Sequence, residues 1–202
     1  NYTKYKLKSS EELASVLEGK DNLFVIACNK CFKEFETVDE PDCDEFLKFA
    51  AEQGKTVTGS AKVDFLCNKM HTERKLQDLI PEGTENVVVI SCGLGIQTVA
   101  DLAGKPVVAA SNTLNYRGHH GMALTKKSCD ACAQCYLNVT GGVCPIVDCS
   151  KSLVNGQCGG AKNGKCEVDP NKDCAWEKIY QRLAAQGRLE EFLNQPVQVR
   201  DF

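Results

Sequence analysis

The stretch NVVVISCGLGIQTVADLAG, residues 86–104, combines the two patterns that decide the fold of this chain. Its run VVVI, residues 87–90, is short and continuously apolar, as is typical of a strand buried on both faces of a sheet. After Cys92, apolar residues recur at helical spacing until Gly104, at Ile96, Val99, Ala100 and Ala103. The stretch therefore predicts a buried strand that leads through a cysteine into a helix.

The same alternation of strands and helices extends outward from this stretch. LFVIA at residues 23–27 predicts another buried strand, a weaker strand leads to residues 65–67, and VVAA at 107–110 predicts the last one. Helical spacing separates these runs, and Ser9 to Glu12 resembles a capping box at the start of a helix. Alternating strands and helices imply a parallel sheet with right-handed crossovers. We therefore expect an α/β, Rossmann-like domain over residues 1–115.

Residues 116–202 have a different composition. They are rich in Gly, Cys, Asn and Asp and show little periodicity, so they cannot bury enough apolar surface to fold without help. Only the part from Trp176 onward has the apolar spacing of a helix, which is softened near Gly187. We expect an irregular, Cys-rich domain that is organised by metal sites and ends in a C-terminal helix.

Composition and charge exclude several classes of function. The 202 residues carry a net charge of −3 and no basic stripe, which argues against a nucleic-acid partner. No apolar run is long enough to span a bilayer, and the polar start NYTKYKLKSSEEL does not resemble a signal peptide, so a cytoplasmic protein is expected. In that compartment, the thirteen cysteines are expected to be metal ligands or core thiols rather than disulfides.

Eight of these cysteines lie close together in the last third of the chain. The first four follow a CxxCxxC spacing with a later Cys-Pro, which is typical of iron–sulfur ligands, and the last four are evenly spaced. Eight thiolates are the number that two four-cysteine clusters require. The expected ligands of two [4Fe–4S] clusters are therefore Cys129, Cys132, Cys135, Cys144, Cys149, Cys158, Cys166 and Cys174.

Alternatives remain open at these positions. Zinc could occupy either group, and more readily the evenly spaced one, because thiolates accept both metals. Cys144 could ligate the second cluster, as the last cysteine of the run does in two-cluster ferredoxins. The adjacent pair His119 and His120 is better explained as a loop than as ligands. A zinc-stapled docking protein is the alternative function, and a catalytic zinc-thiolate methyl-transfer protein ranks last.

A further metal site is predicted in the first domain. Cys28, Cys67 and Cys92 follow three predicted strands, and Cys31 completes a CNKC pair with Cys28. Because the carboxyl ends of parallel strands meet at one edge of a sheet, the four thiols are expected to converge on a [2Fe–2S] cluster or a zinc ion. The competing hypothesis is that Cys67 and Cys92 are small buried hydrophobic residues, and this explanation fits Cys43 on an apolar helix face.

The segments TGGVCP, LVNGQCGG, GKCEV and CAWEKIYQRL resemble the methylenetetrahydrofolate reductase C-terminal family. The chain as a whole is similar to the MetV-type small accessory subunits of this reductase in acetogenic bacteria. The resemblance implies a separate catalytic subunit that carries FMN and reduces methylenetetrahydrofolate to methyltetrahydrofolate in the acetyl-CoA pathway. The accessory subunit, not catalytic alone, would pass electrons to that flavin through two [4Fe–4S] clusters.

The first domain is similar to the delta subunit of methyl-viologen-reducing hydrogenase, which carries a [2Fe–2S] centre. Cys28, Cys31, Cys67 and Cys92 match its cysteines, but this chain has Gly93-Leu94-Gly95 where that family has a further cysteine. No complete GxGxxG follows a strand, so the chain is expected to lack its own nicotinamide or flavin site. Ferredoxin or an electron-bifurcating complex is the expected electron donor.

Overall fold

The computed structural model describes residues 3–29, 43–116 and 128–200. The strands are β1 (Thr3–Leu7), β2 (Leu23–Cys28), β3 (Val57–Val63), β4 (Asn86–Ile90), β5 (Val107–Ala109) and β6 (Ser111–Tyr116). The helices are α1 (Ser10–Val16), α2 (Cys43–Glu52), α3 (Lys69–Leu79), α4 (Gly93–Leu102), α5 (Pro145–Asp148), α6 (Ala175–Ala185) and α7 (Leu189–Leu193). None of the helices in these ranges has the length and apolar character that crossing a membrane requires.

A four-stranded parallel sheet in the order β3-β2-β4-β5 confirms the predicted α/β class. The central strands β2 and β4 are the two most apolar runs, and every residue of β4 is buried. Helices α2, α3 and α4 connect successive strands, as the alternating pattern predicted. Their apolar faces and the two faces of the sheet form the main core. The carboxyl end of β2 therefore lies beside that of β4, with Ala27 paired to Ile90.

Sequence analysis missed an antiparallel pair formed by β1 and β6. The sequence of β6 is polar, yet its first three residues are buried, and the side chains of the first and third bond to the turn between β4 and α4. The hydroxyl of Ser111 accepts a hydrogen bond from the backbone N–H of Ser91 at 2.9 Å. The hydroxyl of Thr113 accepts one from Gly93 at 2.8 Å. Polar strand residues with such partners give no apolar pattern for a sequence analysis to find.

The predicted strand end at residues 65–67 is wrong. Strand β3 is mostly polar and ends at Val63, and residues 64–67 form a turn in which Phe65 has a φ of 55°. The apolar character that suggested a strand comes in part from Leu66, a residue of this turn whose side chain is fully buried. Cys67 therefore lies beyond the strand rather than at its end.

The predicted helix boundaries agree well with the structure where both are defined. Ser9 and Glu12 form a complete capping box, in which the Ser9 side chain accepts from the Glu12 N–H and the Glu12 carboxylate from the Ser9 N–H. The predicted softening near Gly187 is a break between α6 and α7, with Gly187 at a φ of 67°. Phe192 of α7 then packs on Trp176 of α6 with ring centroids 5.5 Å apart.

The Cys-rich region packs against the last helix and strand of the parallel sheet. Leu137 joins the core under α4, and the Asn138 side chain bonds to both the N–H and the C=O of Ala109 on the outer strand β5. Arg182 of α6 pairs with Asp101 of α4 at 2.8 Å. These contacts dock residues 128–200 on the sheet. The division into two domains near residue 115 stays a prediction.

Replacement of Gly142 by alanine is expected to weaken this docking. Gly142 has a φ of 83°, and a Cβ atom there would overlap the Cβ of Ala100 on α4. Backbone strain and overpacking together should lower the free energy of unfolding by about 2–4 kcal/mol, measured by chemical denaturation. Gly187→Ala is the matched control, because its φ is also positive but nothing lies within 4 Å. A loss no larger than that of the control would contradict the predicted overlap.

Candidate metal centres

The first four predicted ligands line a single cavity. These ligands are Cys129, Cys132, Cys135 and Cys144, termed the first set. Gly93 and Gln97 of α4 and Thr113 of β6 form the opposite wall of this cavity. The structure thus places Cys144 with the three closely spaced cysteines, although the sequence left its assignment open.

The loop of the first set turns its thiols inward through unusual backbone conformations. Ala131 and Ala133 adopt φ values of 50° and 56°, which are strained for residues with a Cβ. Hydrogen bonds from the N–H of Ala133 to the carbonyl of Thr113 and from the N–H of Cys135 to the side-chain oxygen of Asn112 fix the loop against β6. Strained residues persist only where their surroundings hold them, and they concentrate at functional sites.

Burial changes the acidity of the first set. Burial, with a smaller contribution from the nearby Cys129 thiol, raises the pKa of Cys135 to about 11 and the pKa of Cys144 to about 12. Both thiols are therefore protonated at neutral pH unless a metal binds them. Since metals bind the thiolate, occupation of this cavity would release protons.

Helix α4 holds the start of the first set in position. Its first residue, Gly93, lies so close to Cys129 that an added Cβ would come within 2.7 Å of the Cys129 sulfur. The fully buried Gln97 side chain donates hydrogen bonds to the carbonyl oxygens of Ser128 at 2.8 Å and Gly93 at 3.0 Å. Its own oxygen is buried and has no hydrogen-bond partner within the described ranges.

We expect Gly93→Ala to displace the Cys129 sulfur and to empty the first set of metal. The new methyl group would occupy the space that the sulfur needs, so about half of the chain's metal should be lost, measured by metal analysis of purified protein. Gly104→Ala, at the other end of α4, is the control, since nothing lies within 4 Å of its added Cβ. Full metal content in Gly93→Ala would show that Cys129 is not a ligand.

The remaining four predicted ligands line a second cavity. Cys149, Cys158, Cys166 and Cys174 are termed the second set. Cys149 directly follows α5, Cys174 is the N-cap of α6, and the other two come from the loop between these helices. The Trp176 ring closes one side, and its indole N–H donates to the carbonyl of Leu153 at 3.0 Å. This set lies nearer the surface than the first, with Cys158 exposed.

Short-range backbone hydrogen bonds shape the loop of the second set. The N–H of Cys166 donates to the carbonyl of Lys172 at 2.9 Å, and the N–H of Cys174 donates to that of Gly164 at 2.8 Å. The Ser150 hydroxyl, 3.5 Å from the Cys166 sulfur, lowers the pKa of Cys166. One ligand position in this set is therefore already biased toward the thiolate form that metals bind.

Helix α5 separates the two sets by one short turn. Cys144 of the first set is its N-cap and Cys149 of the second set is its C-cap. Pro145 begins the helix, and the N–H of Cys149 donates to its carbonyl at 3.2 Å. At 1.5 Å rise per residue, the two cysteines are separated along the helix by roughly 7–8 Å. The two cavities are therefore close neighbours.

The predicted site in the first domain is adjacent to the first set. Cys28 ends β2 and Cys92 caps α4 beside it, while Cys67 packs against the same apolar core as Cys92. Burial raises the pKa of Cys92 to about 11, and the nearby thiols of Cys28 and Cys129 raise it further. Cys31, the fourth predicted ligand, lies outside the described residues.

The other cysteine and the histidines have simpler explanations. Cys43 is buried on α2, as the core-thiol hypothesis predicted. His119 and His120 lie outside the described residues. The twelve cysteines that the structure describes are all free thiols. Within those ranges, no three Cys, His, Asp or Glu side chains form a group that could hold a single metal ion.

Residues 108–202 match a family described as methylene-tetrahydrofolate reductase C terminal. This part of the chain is similar to that family. The match includes both cysteine sets and relates the chain to a reductase complex of one-carbon metabolism. No curated protein and no solved structure matches the chain.

Sequence analysis identified the cysteines within residues 108–202 but missed the earlier residues that lie beside the first set. Gly93, Gln97 and Lys8 all precede residue 108, and each contacts or lies near the first set. No local pattern marks them. Only the buried glutamine, in an otherwise apolar helix stripe, could have been noticed in the sequence.

Proposed function

We propose that this chain is the electron-transfer subunit of a methylenetetrahydrofolate reductase complex. Each cysteine set would hold one [4Fe–4S] cluster, which supplies one-electron chemistry when bound. The observation that carries the proposal is the presence of two cavities, each lined by four cysteines. The acceptor would be the FMN of a catalytic subunit, and the donor would be ferredoxin or an electron-bifurcating complex.

The residues present suit iron–sulfur clusters. Both donor sets consist of four thiols, which are the usual ligands of a [4Fe–4S] cluster. Each set gathers its four thiols around one cavity, as a shared metal group requires. In the second set, Cys174 is the N-cap residue of the eleven-residue helix α6.

The arrangement of the sites supports a path for electrons. The second set lies near the surface, α5 joins it to the buried first set, and Cys129 of the first set lies near Cys92. With Cys28, Cys31 and Cys67, Cys92 would hold a [2Fe–2S] cluster or zinc. The three sites would then form a row from the surface to the edge of the parallel sheet. The chain's own role is to hold these groups close together.

Metal and sulfide analysis of anaerobically purified protein tests the proposal. About eight to ten irons per chain, matching acid-labile sulfide and an EPR signal after reduction would support it. Two or three zinc ions without sulfide would contradict it and would leave a metal-stapled docking subunit.

Transfer to the partner needs a second measurement. The reduced chain would be mixed anaerobically with the FMN-containing catalytic subunit, and flavin reduction would be followed by the loss of flavin absorbance. We expect rapid reduction by the loaded chain and none by the metal-free chain. Equal rates for both would contradict an electron-transfer role.

A further inference from the structure

A buried lysine lies beside the first set and has no part in holding it. Lys8 directly follows β1, and only 6% of its surface is exposed. Its ammonium nitrogen lies 2.9 Å from the side-chain oxygen of Asn112 and 3.3 Å from the carboxylate of Glu12. Its backbone N–H donates to Ala110 at 2.9 Å, which fixes the start of the side chain.

Asn112 connects this ammonium group to the first set. The oxygen that accepts from Lys8 also accepts from the backbone N–H of Cys135, at 3.3 Å. Lys8, Asn112 and Cys135 also line one groove on the same side of the molecule.

The Lys8 ammonium group is enclosed, but its countercharge is not. The Lys8 side chain is 4% exposed, whereas the side chain of Glu12 is 50% exposed. Glu12 is also engaged by Ser9 in the capping box of α1. Because solvent screens the exposed carboxylate more than the buried ammonium group, the positive charge beside the first set is only partly compensated.

We propose that Lys8 raises the reduction potential of the cluster that the first set would hold; this inference rests on the proposed function. Reduction adds one electron and neither forms nor breaks a covalent bond. The added negative charge is stabilised by a nearby cation in a poorly solvated position, because charges there are weakly screened. Lys8 is thus a positioning and tuning residue rather than a ligand. The second set has Lys151 nearby, but that lysine is paired with Glu167 near the surface.

Redox titration of anaerobically purified variants, followed by EPR, tests the inference. For Lys8→Met, the ratio of reduced to oxidised first-set cluster at a fixed potential should fall about tenfold, which is about 59 mV for a one-electron couple. Lys8→Arg keeps the charge and should restore most of the ratio. Lys6→Met is the matched control, since Lys6 lines the same groove but is exposed. The second-set signal should not move in any variant.

A second variant should act in the opposite direction. Glu12→Gln removes the countercharge of Lys8 and keeps the capping box, since glutamine serves equally at that position. The reduced fraction of the first-set cluster should rise. Because Glu12 is half exposed, this variant decides the question even if Lys8→Met does not fold. If both Glu12→Gln and folded Lys8→Met carry the first-set cluster and its reduced fraction is unchanged in both, the inference is overturned. If the unmodified chain carries no clusters, the proposed function is overturned instead.

Discussion

Replacement of Cys135 by alanine is expected to remove about four of the eight irons from the C-terminal region and to leave the second set loaded. Of the two cysteine-lined cavities, Cys135 lines only the first, where it lies near the thiols of Cys129 and Cys132. Alanine offers no ligand atom, so one cluster should be lost while the other keeps its four thiolates. Iron and sulfide analysis, with an EPR spectrum of the reduced protein, measures the change.

Two matched variants make this result specific. Cys166→Ala should remove the same amount of iron but abolish the other EPR signal, because Cys166 lines only the second cavity. Cys43→Ala should keep all of the iron, since Cys43 is buried on α2 and lines neither cavity. If Cys135→Ala kept its full iron content, or if Cys43→Ala lost as much, the assignment of the first set would be wrong.

The parallel sheet could be predicted because its signal is local. Each of β2 and β4 is a short apolar run, and burial on both faces requires nothing else of the sequence. Strands β1 and β6 could not be found in this way. Buried polar residues of β6, such as Ser111 and Thr113, are satisfied by backbone groups of the β4–α4 turn, about twenty residues earlier in the chain. Such pairing depends on the fold and leaves no period in the sequence.

The candidate site, like the sheet, could be predicted only where its signal is local in the sequence. The spacing of the eight cysteines predicted their chemistry, since thiols close in sequence are suited to share one metal group. Their grouping could not be predicted, because Cys144 lies between the two sets and only α5 decides which cavity it faces. Gly93 contacts Cys129 of the first set and Lys8 lies near that set, and both come from distant parts of the chain. Cys67 was misplaced because a buried turn and a strand end have the same apolar character.

Removal of the metal is expected to unfold the Cys-rich region while the parallel sheet persists. The apolar group within this region is small and consists of Tyr136, Ile146 and Val154 with their partly buried neighbours. Its loops contain strained residues and few backbone hydrogen bonds, so their order depends on the thiolate–metal bonds. Hydrogen exchange of residues 128–174 should accelerate at least about a hundredfold, which corresponds to about 2.8 kcal/mol of local stability.

The sheet provides the internal control for this experiment. Residues of β2 and β4 are almost all fully buried and contact neither cavity, so their exchange should remain slow after chelation. Helix α6 is the decisive intermediate case. Its first residues adjoin Cys174, but Trp176, Ile179 and Leu183 form a core of their own with Val143. We expect its first turn to lose protection and its last turn to keep it, held on α4 by the pair of Arg182 and Asp101. Unchanged exchange throughout residues 128–174 would mean that packing alone orders the thiols and that metal binding does not stabilise this region.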